Sequence, residues 1–133
     1  MLASLALTAI LLAQNPATCS GPDLAITSVT VAGVTPSGGN NVYHLRGTVT
    51  NLGHARQPSN TLQFVDIFYR GDKLDSRGVP PLAPGQHYTF GYDFQRSADA
   101  NAGTSALRFT LDFRQPAGAQ DCNTANDTFR LTF

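Results

Sequence analysis

An all-β, two-sheet sandwich is the architecture this sequence predicts, on three observations. Most of the chain alternates apolar and polar residues with period two, the mark of strands that bury one face. The alternating segments are separated by clusters rich in Gly, Pro, Asn and Asp, residues that suit tight turns. Beyond an apolar N-terminal run, no segment carries the 3.6-residue period of an amphipathic helix.

That N-terminal run is residues 2–13, LASLALTAILLA, almost unbroken and without a charge. A membrane-spanning helix needs about 20 apolar residues, so residues 1–13 are read as a secretory signal peptide. Small residues place cleavage before Gln14, or as late as after Ala17. Residues 14–21 then form a short linker and residues 22–133 the folded domain. No Lys or Arg precedes the run, and the competing reading is a buried N-terminal helix of a cytosolic domain. Export to the periplasm or the exterior is the expectation. The two cysteines, Cys19 and Cys122, fit it as one disulfide in an oxidising compartment. Closing a loop of about 100 residues would constrain the unfolded chain by roughly 4–5 kcal/mol. A lipid-modified Cys19 is the other reading, but Pro16-Ala17-Thr18 lacks the Leu-x-Gly/Ala pattern usual before such a cysteine.

Strand one is expected over residues 23–31 (DLAITSVTV), followed by a loop, AGVTPSGGNN, over 32–41. Strand two follows over 42–50, with Tyr43, Leu45 and Val49 on one face, then a polar loop over 51–60. Strand three, 61–70 (TLQFVDIFYR), is nearly all apolar, as suits a central strand. Its alternation leaves open which of two sets, Phe64 and Phe68 or Val65, Ile67 and Tyr69, faces the core. Gly71-Asp72 turns into a short fourth strand over 73–79. Leu82-Ala83-Pro84-Gly85 predicts a β-turn in which Pro sets φ and Gly supplies the positive φ. Strand five, 87–95, aligns Tyr88, Phe90, Tyr92 and Phe94 on one side, where core packing is the expectation rather than a carbohydrate platform. Strand six, 105–114, does the same with Leu107, Phe109, Leu111 and Phe113, turning Arg108, Thr110, Asp112 and Arg114 to water. Strand seven, 127–133, buries Phe129, Leu131 and Phe133. Seven short strands at this spacing imply a seven-stranded immunoglobulin/fibronectin-III-like two-sheet sandwich.

Composition excludes more functions than it suggests. Lys+Arg and Asp+Glu balance at nine each, without a basic block, so the electrostatic footprint of a nucleic-acid binder is missing. Glu is absent and the aspartates are scattered, which speaks against a paired-carboxylate hydrolase. His44, His54 and His87 have no spacing that puts two metal ligands on one element. Asp112, Asp121, Asn123 and Asp127 offer hard oxygens, but without the dense Asp/Asn/Gly run of a calcium loop. Neither a nucleophile elbow nor a phosphate loop occurs. The expectation is a non-enzyme without cofactor or metal.

The order of several short motifs resembles a known family. Pro22-Asp23-Leu24 opens strand one, and Thr48-Val49-Thr50-Asn51-Leu52-Gly53 closes strand two. Phe68-Tyr69 with Gly71 ends strand three, Leu82-Ala83-Pro84-Gly85 follows, and Asn123 with Asn126-Asp127-Thr128 precedes strand seven. Together these are similar to the CARDB domain, the cell adhesion related domain found in bacteria, over residues 22–133. The resemblance implies an Ig-like β-sandwich of an exported protein, and the cysteine pair is an addition to the family's pattern. In such a sandwich the start of strand one, the loop after strand two and the loop before strand seven share one end. The expected contact surface is therefore Asn51, His54, Arg56 and Gln57 from one loop with Gln120, Asp121 and Asn123 from the other. Three functional readings follow. The first is an exported binding or adhesion-type module that contacts a protein or a cell-surface polymer. The second is a structural subunit or spacer of an envelope assembly, and the third a cryptic metal-dependent hydrolase.

Overall fold

The computed structural model describes residues 20–115 and 122–133. Seven strands appear there: β1 (Leu24–Ser37), β2 (Asn40–Asn51), β3 (Leu62–Tyr69), β4 (Asp72–Val79), β5 (His87–Ser97), β6 (Ala106–Gln115) and β7 (Thr128–Thr132). A 3-10 turn, Thr124–Asn126, precedes β7. Two antiparallel sheets, ordered β1-β2-β5 and β4-β3-β6-β7, make the sandwich expected of an immunoglobulin/fibronectin-III-like chain.

Two-residue turns decide which strands become neighbours. Gly38 and Gly39 join β1 to β2 with φ of 52° and 83°, and Arg70 and Gly71 join β3 to β4 with φ of 52° and 84°. Positive φ at both central residues is what the type I′ hairpin requires, since its twist matches that of antiparallel strands. The second turn holds β4 beside β3, which gives the three-plus-four division of the sheets. The first turn corrects the sequence expectation of a loop over residues 32–41. Residues 32–37 instead extend β1 and residues 40–41 open β2, because Gly-Gly alone suffices to reverse the chain. Pro36 is tolerated there because β1 is an edge strand, where a missing N–H need not cost a ladder hydrogen bond.

Between Ile26 and Ser28 the β1–β2 register shifts. The bulge lets Ile26 and Val29, three residues apart, both point inward, with 5% and 3% of their surface exposed. They join Leu24, Leu45, Val49, Val65, Ile67, Val79, Leu82, Phe90, Phe94, Leu107, Phe109 and Leu111 in one core between the sheets. The ambiguity in β3 resolves in favour of Val65 and Ile67 as core, with Tyr69 edge-on to Phe94 at 5.2 Å. Most of the predicted aromatic rows pack inward, but Tyr88 is 36% exposed. It lies near the start of β5, an edge strand of its sheet.

Phe64 and Phe68 sit on the outer face of β3, lidded by guanidinium groups. Arg114 lies 4.0 Å over Phe64 and Arg108 lies 4.2 Å over Phe68. Between them Asp66 is buried, accepting from Ser76 Oγ and approached by Lys73 Nζ at 3.5 Å. Arg114 Nε also donates to Asp112 at 3.0 Å and holds that carboxyl below the usual aspartate range, against a smaller opposing effect of burial. The outer face of β6 is thus an ordered polar layer rather than a bare solvated one.

At the end of the sandwich where β5 finishes, Arg96 ties the two sheets together. It donates to Ser105 Oγ at 2.7 Å, the Phe133 carbonyl at 2.6 Å and the Tyr43 hydroxyl at 2.9 Å. Its guanidinium also stacks 4.4 Å from the Tyr43 ring centre. Arg96→Met keeps the apolar stem but removes these bonds, and should lower unfolding free energy by about 2 kcal/mol. Urea denaturation of the variant beside the parent measures the loss, and an unchanged midpoint would refute this role.

Candidate binding surface at the loop end

The opposite end of the sandwich gathers the segments that the sequence nominated. Pro22 and Asp23 enter β1 there, β2 leaves at Asn51, and the 82–86 turn enters β5. Leu52 N donates to the Asp23 carbonyl at 2.7 Å, and His54 N to the Gly21 carbonyl at 3.0 Å. Cys122 N reaches the Pro22 carbonyl at 3.3 Å, and Asn126 Nδ2 reaches the Asp23 carboxylate at 3.3 Å. The start of the domain, the loop after β2 and the segment before β7 therefore meet, as their order along the chain implied.

Two of the nominated binding residues prove to be scaffold. Asn51 is fully buried, and its amide serves four backbone groups. Oδ1 accepts from Asp23 N at 3.1 Å and Gly53 N at 2.9 Å, while Nδ2 donates to the Ala55 and Leu82 carbonyls, each at 3.0 Å. Its backbone grips the neighbouring turn as well, donating to the Gln86 carbonyl at 3.1 Å and accepting from Gly85 N at 2.8 Å. That turn matches its expected chemistry, with Gln86 N bonded to the Ala83 carbonyl at 2.9 Å and Gly85 at φ 77°. Gln57, 3% exposed, forms a reciprocal amide pair with Gln63 at 2.7 and 2.8 Å. Gln57 Oε1 also takes Leu82 N at 3.0 Å, so this buried polar pair is well satisfied. A ligand arriving from solvent touches neither Asn51 nor Gln57. Both face inward because the loop's own backbone donors and carbonyls need partners there.

His54 and Arg56 are exposed, and Asn123 is half-exposed with its carbonyl oxygen capping Ala125 N at 3.1 Å. Gln120 and Asp121 lie outside the described residues, as do Cys19 and the whole of segment 1–13. Leu52, absent from the sequence's candidates, is 54% exposed beside His54. The available signal was an apolar residue standing alone in a polar, Gly-containing loop, with no alternating partner to carry it into a strand's buried face. Gly53 itself is required: a Cβ there would overlap the Gly21 carbonyl and the Asp23 amide.

A second polar arrangement lies on the outer face of the three-stranded sheet. Thr35 Oγ1 is 2.8 Å from His44 Nε2, and His44 Nδ1 is 2.8 Å from Asp93 Oδ1. The hydroxyl–imidazole–carboxylate order matches that of a hydrolytic triad. The His44 and Asp93 side chains are 41% and 66% exposed, however, so the setting lacks the dry, preorganised surroundings on which such catalysis depends. A cross-strand tie between β1, β2 and β5 accounts for it. Among the described residues no three His, Cys, Asp or Glu side chains group as metal ligands, and no helix is long and apolar enough to cross a membrane.

By strand order and packing, the chain is a β-sandwich of the immunoglobulin/fibronectin-III-like class. Among solved structures it is similar to the CARDB domain of a Pyrococcus furiosus protein, determined in complex with di-metal ions. The TM-score is 0.61 at 19% identity, covering 86% of this chain and 89% of that one. It is also similar to a domain described as part of a cell-surface protein of Methanosarcina acetivorans, with a TM-score of 0.56 at 22% identity, covering 84% and 89%. At these identities the likeness is one of fold, and the fold is the one the sequence motifs indicated. No protein-family profile and no curated protein sequence matches the chain.

Proposed function

We propose that the chain is an exported, non-catalytic binding module of adhesion type, which contacts a protein or a cell-surface polymer through its loop end. The carrying observation is the clamp around Asn51, which presents Leu52, His54 and Arg56 outward on a loop fixed from four directions. Loops held by a rigid scaffold are where binding residues concentrate, because little ordering entropy is then lost on contact. The fold likeness to a CARDB domain and to a cell-surface domain supports the same reading. Export supplies the setting: a leader over residues 1–13, and a Cys19–Cys122 disulfide bracing the 122–127 segment. The approach of Cys122 to Pro22, three residues beyond Cys19, supports that pairing. The Pyrococcus domain holds di-metal ions, whereas the contact proposed here uses side chains alone.

Sedimentation of the purified protein with envelopes of the source cells tests the surface. Combined replacement Leu52→Ser, His54→Ala and Arg56→Ala should cut the bound fraction about ten-fold, equivalent to about 1.4 kcal/mol. Stability should move little, since exposed side chains seldom carry much. Unchanged sedimentation would refute the loop-end contact. Co-purification at fixed stoichiometry, indifferent to the replacement, would favour the spacer role instead. Export has its own test. Intact mass should begin at Gln14 or Thr18, with no thiol reactive before reduction; a retained Met1 with two free thiols would overturn it.

A further inference from the structure

At the end of the four-stranded sheet away from the loop surface, β3 finishes, β6 begins and β7 finishes around a cavity of about 370 Å³. Three of its lining residues are Arg70, Arg108 and Arg130, and among the described residues no carboxylate lines it. From this convergence we infer that the cavity is a binding site for a compact oxyanion, a carboxylate or phosphate group, recognised by the three guanidinium groups.

Two features of the protein are unfavourable on their own and make sense together at such a site. Arg108 and Arg130 are direct cross-strand partners, so like charges face each other on one side of the sheet. Arg70 is the only non-Gly residue with positive φ among the described residues, 52°, at a turn position that favours Asn, Asp or Gly. Strain of this kind, kept at the rim of a cavity, points towards function. Among the described residues no ion pair relieves either feature. The Lys and Arg ion pairs of the described residues join Lys73, Arg77 and Arg114 to Asp66, Asp75 and Asp112, and none involves these three arginines. Asp72, just past the turn, does not line the cavity.

The site is also preorganised. Arg108 lies 4.2 Å over the Phe68 ring and donates to Thr110 Oγ1 at 3.3 Å, while Arg70 lies 5.0 Å over Tyr69. With those ring faces occupied by arginine, sugar stacking is not what the cavity offers. Forked donors that grip a planar or tetrahedral oxyanion are. Thr104 and Thr132 add hydroxyls at the rim. The inference is independent of the loop-end contact, whose residues lie at the other end of the sheet.

Chemical-shift titration of the intact protein tests it, with inorganic phosphate, an oligogalacturonate and neutral dextran as three separate probes. Saturable shifts confined to residues 68–71, 104–108 and 130–132 are expected with phosphate or oligogalacturonate, weakening as salt is raised. Saturation by phosphate alone identifies a free-anion site. Tighter binding of oligogalacturonate identifies the charged unit of a polymer as the source. Arg130→Gln should weaken binding about ten-fold, the loss of one charged hydrogen-bonding partner. Arg70→Asn should weaken it similarly while leaving the thermal midpoint equal or higher, because Asn adopts positive φ at lower cost. That split separates a binding role from a structural one. Shifts scattered without saturation, equal binding of dextran, or indifference to both substitutions would overturn the inference.

Discussion

Replacing Asn51 with alanine should destabilise the domain by about 3–5 kcal/mol, because each buried backbone group orphaned by the change costs about 1–3 kcal/mol. The amides of Asp23 and Gly53 and the carbonyl of Ala55 would lose their side-chain partner, and the Leu82 carbonyl would keep only the bond from Gln57 N at 3.1 Å. Water can reach some of the vacated positions after local rearrangement, so the loss falls below a simple sum of the four. Asn51→Asp separates geometry from chemistry. The carboxylate keeps the bonds from the Asp23 and Gly53 amides but sets a negative oxygen against the Ala55 and Leu82 carbonyls. It should therefore destabilise by a comparable amount even though the side chain is nearly the same size. Urea denaturation of both variants measures this, and a loss below about 1 kcal/mol for Asn51→Ala would refute the clamp. Because the loop bearing His54 and Arg56 hangs on this amide, amide hydrogen exchange in residues 52–57 should speed up before the rest of the sheet does.

The same residue shows where sequence reading stops. Within the Thr48–Gly53 motif the sequence places Asn51 on the contact surface, since a polar residue in a polar loop is indistinguishable, in one dimension, from one that turns inward. Its burial follows from the meeting of three segments far apart in the chain, those around Asp23, Asn51 and Leu82. Only the closed sandwich reveals that their unpaired backbone groups need a common partner. Gln57 failed for the same reason, its partner Gln63 being visible in the sequence only as a polar residue interrupting an apolar strand.

Alternation, by contrast, is local and was legible. Phe90, Phe94, Leu107, Phe109 and Leu111 are core residues as their period-two spacing required. The Pro84-Gly85 turn carried its geometry in its own residues. Where local and global signals competed, composition misled: the Gly and Pro of residues 32–41 suggested a loop, although two glycines sufficed for the reversal. The cavity ringed by arginine was illegible for a further reason. Arg70, Arg108 and Arg130 are widely separated in sequence, and only the pairing of β6 with both β3 and β7 brings them to one place.

Gly47 is the position where packing should be least forgiving. It lies mid-strand in β2 opposite Phe90, and a Cβ built on it would fall within the Phe90 ring. Glycine weakens a strand interior unless something needs the space, and here the ring does. Phe90 in turn packs 6.0 Å from Phe109, which is fully buried between the sheets, so the ring cannot retreat without disturbing the core. Gly47→Ala should therefore destabilise by about 2–3 kcal/mol, the upper part of the usual overpacking range. Relief from the lower backbone entropy of the unfolded alanine chain is smaller, about 0.4–1 kcal/mol. Phe90→Leu alone should cost about 1–2 kcal/mol through lost contacts, a modest large-to-small change. Combined with Gly47→Ala it should cost less than the sum, because the smaller side chain vacates the space the new methyl needs. A favourable coupling of at least 0.5 kcal/mol in a double-mutant cycle would establish that the glycine exists to seat the ring. Additive losses would instead assign the cost of Gly47→Ala to the strand backbone and remove Phe90 from the account.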